Sequence, residues 1–260
     1  MNMRIRLARS LLRLGAFIQS LPVVVMTPDD LVEFSRASYA RSQMIESWAN
    51  DAVVDSGLTC EEEDLVASVP AKTGKLLLLG VGGGREAIPL ARAGFQVTGI
   101  DYVPAMVEKA KENAARRGVR IDGLVQDMAH LDVDPSAFDV VWLSSAAYSC
   151  VPTRARRVDM VRRIGRALKP GGFFLFQFHR GPGLPPSRKS QFVRRLIAAC
   201  TFGNRAYEEG DVLWGNAEFL HAFTSEDQVR SELEEGGLSV VCFQTERNPV
   251  RCGAVGRKSA

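Results

Sequence analysis

The chain has 260 residues, of which 46% are hydrophobic, and its formal net charge at pH 7 is only +3. A chain of this length and composition can bury the core of one large domain, and so small a net charge gives no reason to expect a nucleic-acid partner. Its five cysteines are widely spaced, which argues against both a disulfide framework and a zinc site and favours the reducing cytoplasm.

Residues 1–25 form a basic amphipathic extension, in which arginines alternate with leucine, isoleucine and phenylalanine. The stretch is too short and too charged to predict a transmembrane segment. A secretory signal is disfavoured because Arg13 interrupts the apolar region. The pattern leaves three interpretations open: peripheral membrane contact through residues 4–18, a helix packed on the core, and an extension upstream of a natural start at Met26.

Residues 26–74 are predicted to be helical. Thr27 is a suitable N-cap, and the following proline and two aspartates favour a helix that runs through about Ser35. Further helices are predicted at about 41–53 and 61–69. Tyr39 and Trp48 are the aromatic side chains of this segment that either contact a ligand or pack between helices.

The segment from Leu76 to Asp101, LLLLGVGGGREAIPLARAGFQVTGID, reads as one βαβ unit. Glycines at the strand-to-helix turn let the backbone approach a ligand closely, and the helix after them offers unpaired N–H groups. An acid at the end of the second strand can accept both hydroxyls of a ribose. The unit therefore predicts a nucleoside-binding crevice at the carboxyl ends of parallel strands.

The glycine spacing argues against a pyrophosphate ligand. The dinucleotide pattern G-x-G-x-x-G is not met, because the third glycine comes one residue early and Arg85 occupies the position of the expected glycine. A P-loop is also excluded, since no Gly-Lys-Ser/Thr closes the turn. An NAD-dependent oxidoreductase remains an alternative that ligand titration would reveal.

The rest of the chain alternates helices and strands at the spacing of a doubly wound α/β sheet. Helices are predicted at 104–117, 153–168 and 187–200 and from a capping box at Ser225 to Gly236, and strands at 123–126, 139–143, 173–178, 238–244 and 250–255. Six arginines on the helix at 153–168 suggest an RNA or polyanion partner, although arginines on an outer helix face usually stay solvated. An insertion is predicted at about 181–222.

Four motifs occur in a characteristic order: the glycine turn, Gly99-Ile100-Asp101-Tyr102, Gln126-Asp127-Met128, and the pair formed by 138–142 and 168–173. This order resembles the class I S-adenosylmethionine-dependent methyltransferases, which have a Rossmann-like fold. The resemblance implies a mostly parallel seven-stranded sheet with an antiparallel C-terminal hairpin. It also implies that residues 26–74 form a lid on a domain spanning 75–260, and that the insertion shapes substrate specificity.

The resemblance implies S-adenosyl-L-methionine as the cofactor, with Asp101 on the ribose, Tyr102 beside the adenine and Asp127 at the adenine amino group. The cofactor-binding residues that follow from it are Gly80, Gly82, Gly84, Asp101, Tyr102, Asp127, Met128 and Leu143. The chain departs from the family at Leu78, where members often carry an acid that contacts the methionine end of the cofactor.

Methyl transfer from a sulfonium is an in-line displacement that requires alignment and exclusion of water but neither a metal nor a covalent intermediate. His179, after the fifth strand, and Tyr148, after the fourth, are the catalytic candidates; His221 is more often structural. Trp214 and Phe219 either line an acceptor site or fill a hairpin core.

The predicted function is methyl transfer to a small-molecule acceptor. The alternatives are a protein or RNA methyltransferase and a non-catalytic S-adenosylmethionine-binding regulatory protein. The sequence determines neither the acceptor atom nor the oligomeric state.

Overall fold

A computed structural model describes residues 3–181, 188–215 and 217–260. The helices are α1 Met3–Gln19, α2 Pro22–Val25, α3 Pro28–Tyr39, α4 Ser42–Ala49, α5 Asp51–Asp55, α6 Cys60–Ala67, α7 Ala87–Arg92, α8 Pro104–Arg116, α9 Arg154–Ala167, α10 Arg188–Thr201 and α11 Glu226–Glu235. The strands are β1 Gly74–Leu79, β2 Phe95–Asp101, β3 Asp122–Val125, β4 Phe138–Leu143, β5 Leu168–His179, β6 Asp211–Trp214, β7 Glu218–His221, β8 Ser239–Gln244 and β9 Arg251–Arg257. The proline-rich start of the predicted insertion, at 182–186, lies outside the described residues.

Seven strands form one sheet in the order β3-β2-β1-β4-β5-β9-β8. The strands from β1 to β5 pair in parallel, whereas β9 runs antiparallel to β5 and β8 antiparallel to β9. This arrangement confirms the predicted fold class, including the antiparallel C-terminal hairpin at the sheet edge. β6 and β7 pair separately as a short antiparallel hairpin within the region predicted to be an insertion.

Helices cover both faces of the sheet, and the central strands are buried accordingly. Successive side chains of a strand point to opposite faces, so Leu77 and Leu79 enter one apolar cluster while Leu76 and Leu78 enter the other. Leu78 is fully buried. The position at which the class I methyltransferase resemblance leads one to expect an acid is therefore part of the hydrophobic core in this chain.

The N-terminal helices begin where the sequence predicts but divide differently. The Thr27 side chain accepts from the backbone N–H of Asp30, and the helix that it caps continues to Tyr39 rather than ending near Ser35. The predicted helix at 41–53 is two helices, because Asn50 is extended and its side chain accepts from the backbone N–H of Val53.

The helix predicted after Ser225 does begin at Glu226, but the expected capping box is wrong. Ser225 makes no side-chain cap bond. Instead, the Gln228 side chain reaches back one residue further and accepts from the backbone N–H of Thr224 over 2.8 Å.

Candidate active site

A cavity of about 910 Å³ opens at the carboxyl ends of β1, β2 and β4, beneath α3 and α4. β1 lies between β2 and β4 in the sheet. The connection after β1 leads to one side of the sheet and the later strands are added on the other side, which leaves a crevice at the end of β1. Single-ligand pockets typically measure about 300–1,000 Å³. The cavity lies in the upper part of this range and is large enough for a nucleoside ligand.

Asp101 ends β2 at the floor of this cavity, as the sequence predicts. Its Oδ2 accepts from the backbone N–H of Gly82 at 3.1 Å, and its Oδ1 accepts from the backbone N–H of Val103 at 2.9 Å. Burial raises the pKa of Asp101 above the ordinary value of 3.8, and the backbone donors oppose that rise. The carboxylate is thus oriented by the glycine turn and faces the cavity.

The glycines of the turn have different roles, because some of them line the cavity and another packs against α8. Gly80 and Gly82 line the cavity with φ angles of +79° and +50°, a region that side chains with a Cβ rarely adopt. Gly84 does not line the cavity: its φ is +96°, and a Cβ there would lie 3.4 Å from the backbone of Ala110 on α8. Its predicted cofactor contact is therefore corrected to a packing contact between the turn and α8.

Gly83 holds the N-terminal helices against the turn. A Cβ on Gly83 would meet the Trp48 carbonyl oxygen and come within 2.6 Å of the Ala49 Cα. Asn113 fixes this contact, because its Nδ2 donates to the carbonyl oxygens of Gly83 at 2.9 Å and Ala49 at 3.1 Å. Only glycine lets the end of α4 pack this closely, which brings Trp48 to the cavity wall.

The adenine side of the predicted site is largely assembled. Tyr102, Asp127 and Met128 all line the cavity. The Asp127 Oδ1 accepts from the backbone N–H of Ala129 at 2.8 Å, which fixes the carboxylate at the start of a short turn. Leu143 is the exception, because its side chain is buried in the core; the cavity wall begins one residue later, at Ser144.

A buried ionic cluster borders the cavity beside the glycine turn, and no sequence motif predicts it. The Arg85 guanidinium contacts Glu62 at 2.7 Å and Glu86 at 2.6 Å, and Glu86 also accepts from the Ser144 hydroxyl. Burial opposes the charge on Arg85, but its bonds to the two carboxylates raise its pKa. Burial likewise raises the pKa of Glu86, with Arg85 acting in the opposite direction.

A second group of side chains lines the opposite part of the cavity. His179 ends β5 and stacks on Trp214, with 6.2 Å between ring centroids. Burial and then the charge of Arg251 lower the pKa of His179, which favours the neutral form of its imidazole. Nearby, the Tyr39 hydroxyl donates to Glu218 Oε2 at 2.6 Å.

Two predicted candidates lie outside the cavity wall. Tyr148 is fully buried, packs against Phe176 and donates its hydroxyl to Glu232 Oε2 at 2.7 Å, so its predicted acceptor contact is corrected to a structural role. His221 is also buried and pairs through Nδ1 with Asp211 at 2.8 Å.

Asp211, His221 and Glu208 stand close enough together to hold a cation. However, Arg157 already contacts both Glu208 oxygens, at 3.1 and 3.0 Å, and supplies the positive charge there.

Comparisons with known proteins agree with this geometry. Residues 76–172 match the family model described as a methyltransferase domain. A ubiquinone biosynthesis O-methyltransferase of Paramagnetospirillum magneticum is 43% identical over 103 residues, which are 38% of each chain. The chain spans about half the length of the curated relatives it matches.

Solved structures share the fold at low sequence identity. The CcbJ methyltransferase from Streptomyces caelestis has a TM-score of 0.60 and 21% identity, covering 84% of this chain and 96% of its own. The [4+2]-cyclase SpnF has a TM-score of 0.58 and 18% identity, covering 76% and 80%. With the matched domain and the sheet order, these likenesses define a protein with the class I methyltransferase fold. Within this fold, residues 76–172 are similar in sequence to the methyltransferase domain family.

The cavity fits S-adenosylmethionine. The Asp101 carboxylate provides acceptors for a ribose, Tyr102 and Met128 provide flat and apolar surface for an adenine, and no pyrophosphate cradle is needed. Glu86 adds an acid at the cavity edge, which suits the cationic end of an amino acid.

Proposed function

We propose that this chain transfers the methyl group of S-adenosylmethionine to a small-molecule acceptor. The observation that supports this most strongly is that one cavity joins two chemically distinct halves. One half presents Asp101 and the glycine turn, and the other presents a neutral His179 stacked on Trp214. A protein that only binds the cofactor has no need of the second half.

In this proposal, the bound cofactor supplies an activated methyl group and the protein supplies orientation and a dry site. Asp101 accepts hydrogen bonds from the ribose, while Tyr102, Asp127 and Met128 contact the adenine. The helices at 26–74 act as the lid, for which the contact of α4 with Gly83 is the support. Residues 75–260 form the catalytic domain.

Glu86 takes over the recognition of the cofactor's amino group. The position before the glycine turn where the methyltransferase resemblance leads one to expect an acid is occupied by Leu78, whose side chain is buried in the core. In the nearby ionic cluster, two carboxylates face a single guanidinium, which leaves one negative charge unbalanced at the cavity edge. A buried unbalanced carboxylate is costly, and an ammonium group would neutralise it.

His179 is the general base for an acceptor hydroxyl. The imidazole would accept the O–H proton of the acceptor hydroxyl, while the bound cofactor would supply the methyl group for the new oxygen–carbon bond and would keep the electron pair of the carbon–sulfur bond that is replaced. The lowered pKa supports this role because it keeps the imidazole in the form that can accept a proton.

The acceptor half suits an apolar, aromatic molecule. Trp214 and Tyr39 provide ring surface there, and Arg251 provides a positive charge for an oxygen that is losing its proton. The relatives named as ubiquinone biosynthesis O-methyltransferases support the same chemical class.

A protein or RNA acceptor receives less support. Five of the six arginines of α9 are ion-paired within the chain: Arg154 and Arg162 with Glu235, Arg156 with Asp29, Arg157 with Glu208 and Glu232, and Arg163 with Asp159. These ion pairs neutralise most of the positive charge on α9, which is the feature that suggests a polyanion partner. We place the activity in the cytoplasm, in keeping with five free thiols.

Isothermal titration calorimetry with S-adenosylmethionine, S-adenosylhomocysteine and NAD tests the cofactor assignment. We expect binding of the first two in the micromolar range and none of NAD. A panel of phenols, amines and thiols with radiolabelled methyl donor then tests the acceptor class. Preference for NAD would refute the proposal, and label transfer only to amines or thiols would refute the hydroxyl chemistry.

A further inference from the structure

Helix α1 exposes an apolar stripe that no part of the cavity uses. Met3, Leu7, Leu11, Leu14 and Ile18 follow one another at spacings of four, four, three and four residues, which places them along one face. All five are at least half exposed, and every residue from 3 to 12 faces solvent. Helices in proteins gain most of their stability by packing an apolar face, so this helix is suited to cover its stripe with a partner.

Helix α10 exposes a second apolar face at the base of α1. Phe192, Leu196 and the adjacent Phe202 are 68%, 53% and 76% exposed. The two regions are tied together, because Arg194 donates to the Ser20 hydroxyl at 2.9 Å and Asn204 N–H donates to the Val24 carbonyl at 2.9 Å. Exposed apolar side chains on adjoining helices exceed what monomers scatter singly over their surface.

The charge of this region identifies the partner. The first acid of the chain is Asp29, whereas arginines occur at 4, 6, 9 and 13, and the α10 sequence contains four basic residues and no acid. A second copy of the chain would place like charges against each other. Basic residues combined with exposed leucine, isoleucine and phenylalanine instead match an anionic lipid surface.

The geometry favours a helix that lies on the bilayer over one that crosses it. By length and composition alone, Met3–Val25 could span a membrane. However, Val23 and Val24 are both fully buried, and Val23 packs with Leu31 and Phe219, so neither valine is free to enter lipid. The 17 residues of α1 extend roughly 26 Å, which is shorter than a hydrocarbon core of about 30 Å, and crossing would bury Arg6 and Arg9.

We infer that α1 and the exposed face of α10 form an interfacial docking surface for anionic phospholipid membranes. The inference does not depend on methyl transfer, because the described residues that line the cavity begin at Asp29. The proposed surface lies beside the acceptor half of the cavity. The buried cluster of Val23, Leu31 and Phe219 connects α2 with α3 and β7, and both of these elements contribute residues to the cavity wall.

Co-sedimentation of the full chain with phosphatidylglycerol-containing vesicles, compared with pure phosphatidylcholine vesicles, tests this surface. We expect binding to the anionic vesicles that weakens with salt and is lost on alkaline carbonate extraction. The double variant Leu7→Glu with Leu11→Glu should lower partitioning at least tenfold, and Phe192→Glu with Leu196→Glu severalfold. Arg6→Gln should lower it about fivefold, the effect of one basic residue near an anionic surface.

Val241→Glu is the matched control, because Val241 is 48% exposed on the edge strand β8, in a different part of the chain. It should bind vesicles like the wild type. Calorimetry with S-adenosylhomocysteine should give the wild-type affinity for every variant, which shows that each is folded and separates this inference from the proposed activity.

Several results would overturn the docking surface. They are a wild-type chain that stays in the supernatant, binding that is equal on neutral vesicles and insensitive to salt, and resistance to carbonate extraction. Self-association without vesicle binding would show that the surface binds a second copy of the chain and not a membrane. Normal binding by the α10 variant would remove that helix from the surface.

Discussion

Replacing Glu86 by glutamine removes the unbalanced negative charge at the cavity edge while keeping nearly the same shape. The Glu86 side chain is only 4% exposed and contacts Arg85 and the Ser144 hydroxyl. Glutamine can still accept from both groups. We therefore expect Glu86→Gln to fold and to weaken only ligands that carry the amino-acid tail of the cofactor.

The size of the effect follows from one buried, charge-assisted contact. Hydrogen bonds to charged groups are worth about 1.5–3 kcal/mol, which corresponds to roughly 10- to 150-fold in Kd. Burial raises the pKa of Glu86, because a charged carboxylate is poorly solvated there, while Arg85 acts in the opposite direction. The neutral glutamine should therefore leave the free energy of unfolding unchanged or slightly increase it, whereas a purely structural role predicts a decrease.

Calorimetry with two ligands separates these possibilities. S-adenosylhomocysteine carries the amino-acid tail, and 5′-methylthioadenosine has the same adenosine and thioether without it. Glu86→Gln should weaken the first ligand and leave the second unchanged. The exposed Glu63 on α6 provides a matched control, Glu63→Gln, that should alter neither. Equal losses for both ligands, or no loss, would refute the assignment of Glu86 to the ammonium group.

Three further predictions address the base, the lid and the ribose contact. His179→Asn should lower kcat by about 10²- to 10⁴-fold, the usual contribution of a general base, with S-adenosylhomocysteine affinity retained; unchanged turnover would exclude His179. Gly83→Ala should lower the free energy of unfolding, measured in urea, by about 1–3 kcal/mol, because the added methyl group would overpack against Trp48. The control Gly15→Ala places its methyl group in open space and should not lower that free energy. Equal stability of the two variants would contradict the contact between α4 and the turn. The affinity for 5′-methylthioadenosine should fall as pH drops, because the raised pKa of Asp101 brings protonation nearer to neutral pH and a protonated carboxyl is a poorer acceptor; a flat profile down to pH values near 4 would contradict this.

The parts of the site that lie within one βαβ unit could be predicted from the sequence. Gly80, Gly82 and Asp101 are brought together by β1, the turn and β2, so their proximity follows from local pattern. Glu86 lies in the same unit, but its role does not follow from the local pattern. The sequence signal for this role is an acid next to Arg85, immediately after the turn. The second carboxylate on Arg85 is Glu62, which comes from α6, a helix that precedes the sheet.

The error at Tyr148 has a specific backbone cause. Ser145 and Ala146 both have left-handed φ angles, +47° and +57°, and the short turn after them directs Tyr148 into the core. Its partner Glu232 lies 84 residues further along the chain. Motif position predicts cofactor contacts for Gly84 and Leu143, whereas Gly84 packs against α8 and the Leu143 side chain lies in the core.

The affinity of Asp101→Ala for S-adenosylhomocysteine tests the central assignment most directly. Two backbone N–H groups orient the carboxylate toward the cavity, and loss of a charged acceptor for a sugar diol should weaken binding by at least tenfold. Thermal unfolding should show that the variant is folded. If the folded variant binds S-adenosylhomocysteine with the wild-type Kd, the nucleoside does not lie on Asp101 and the proposed site is wrong.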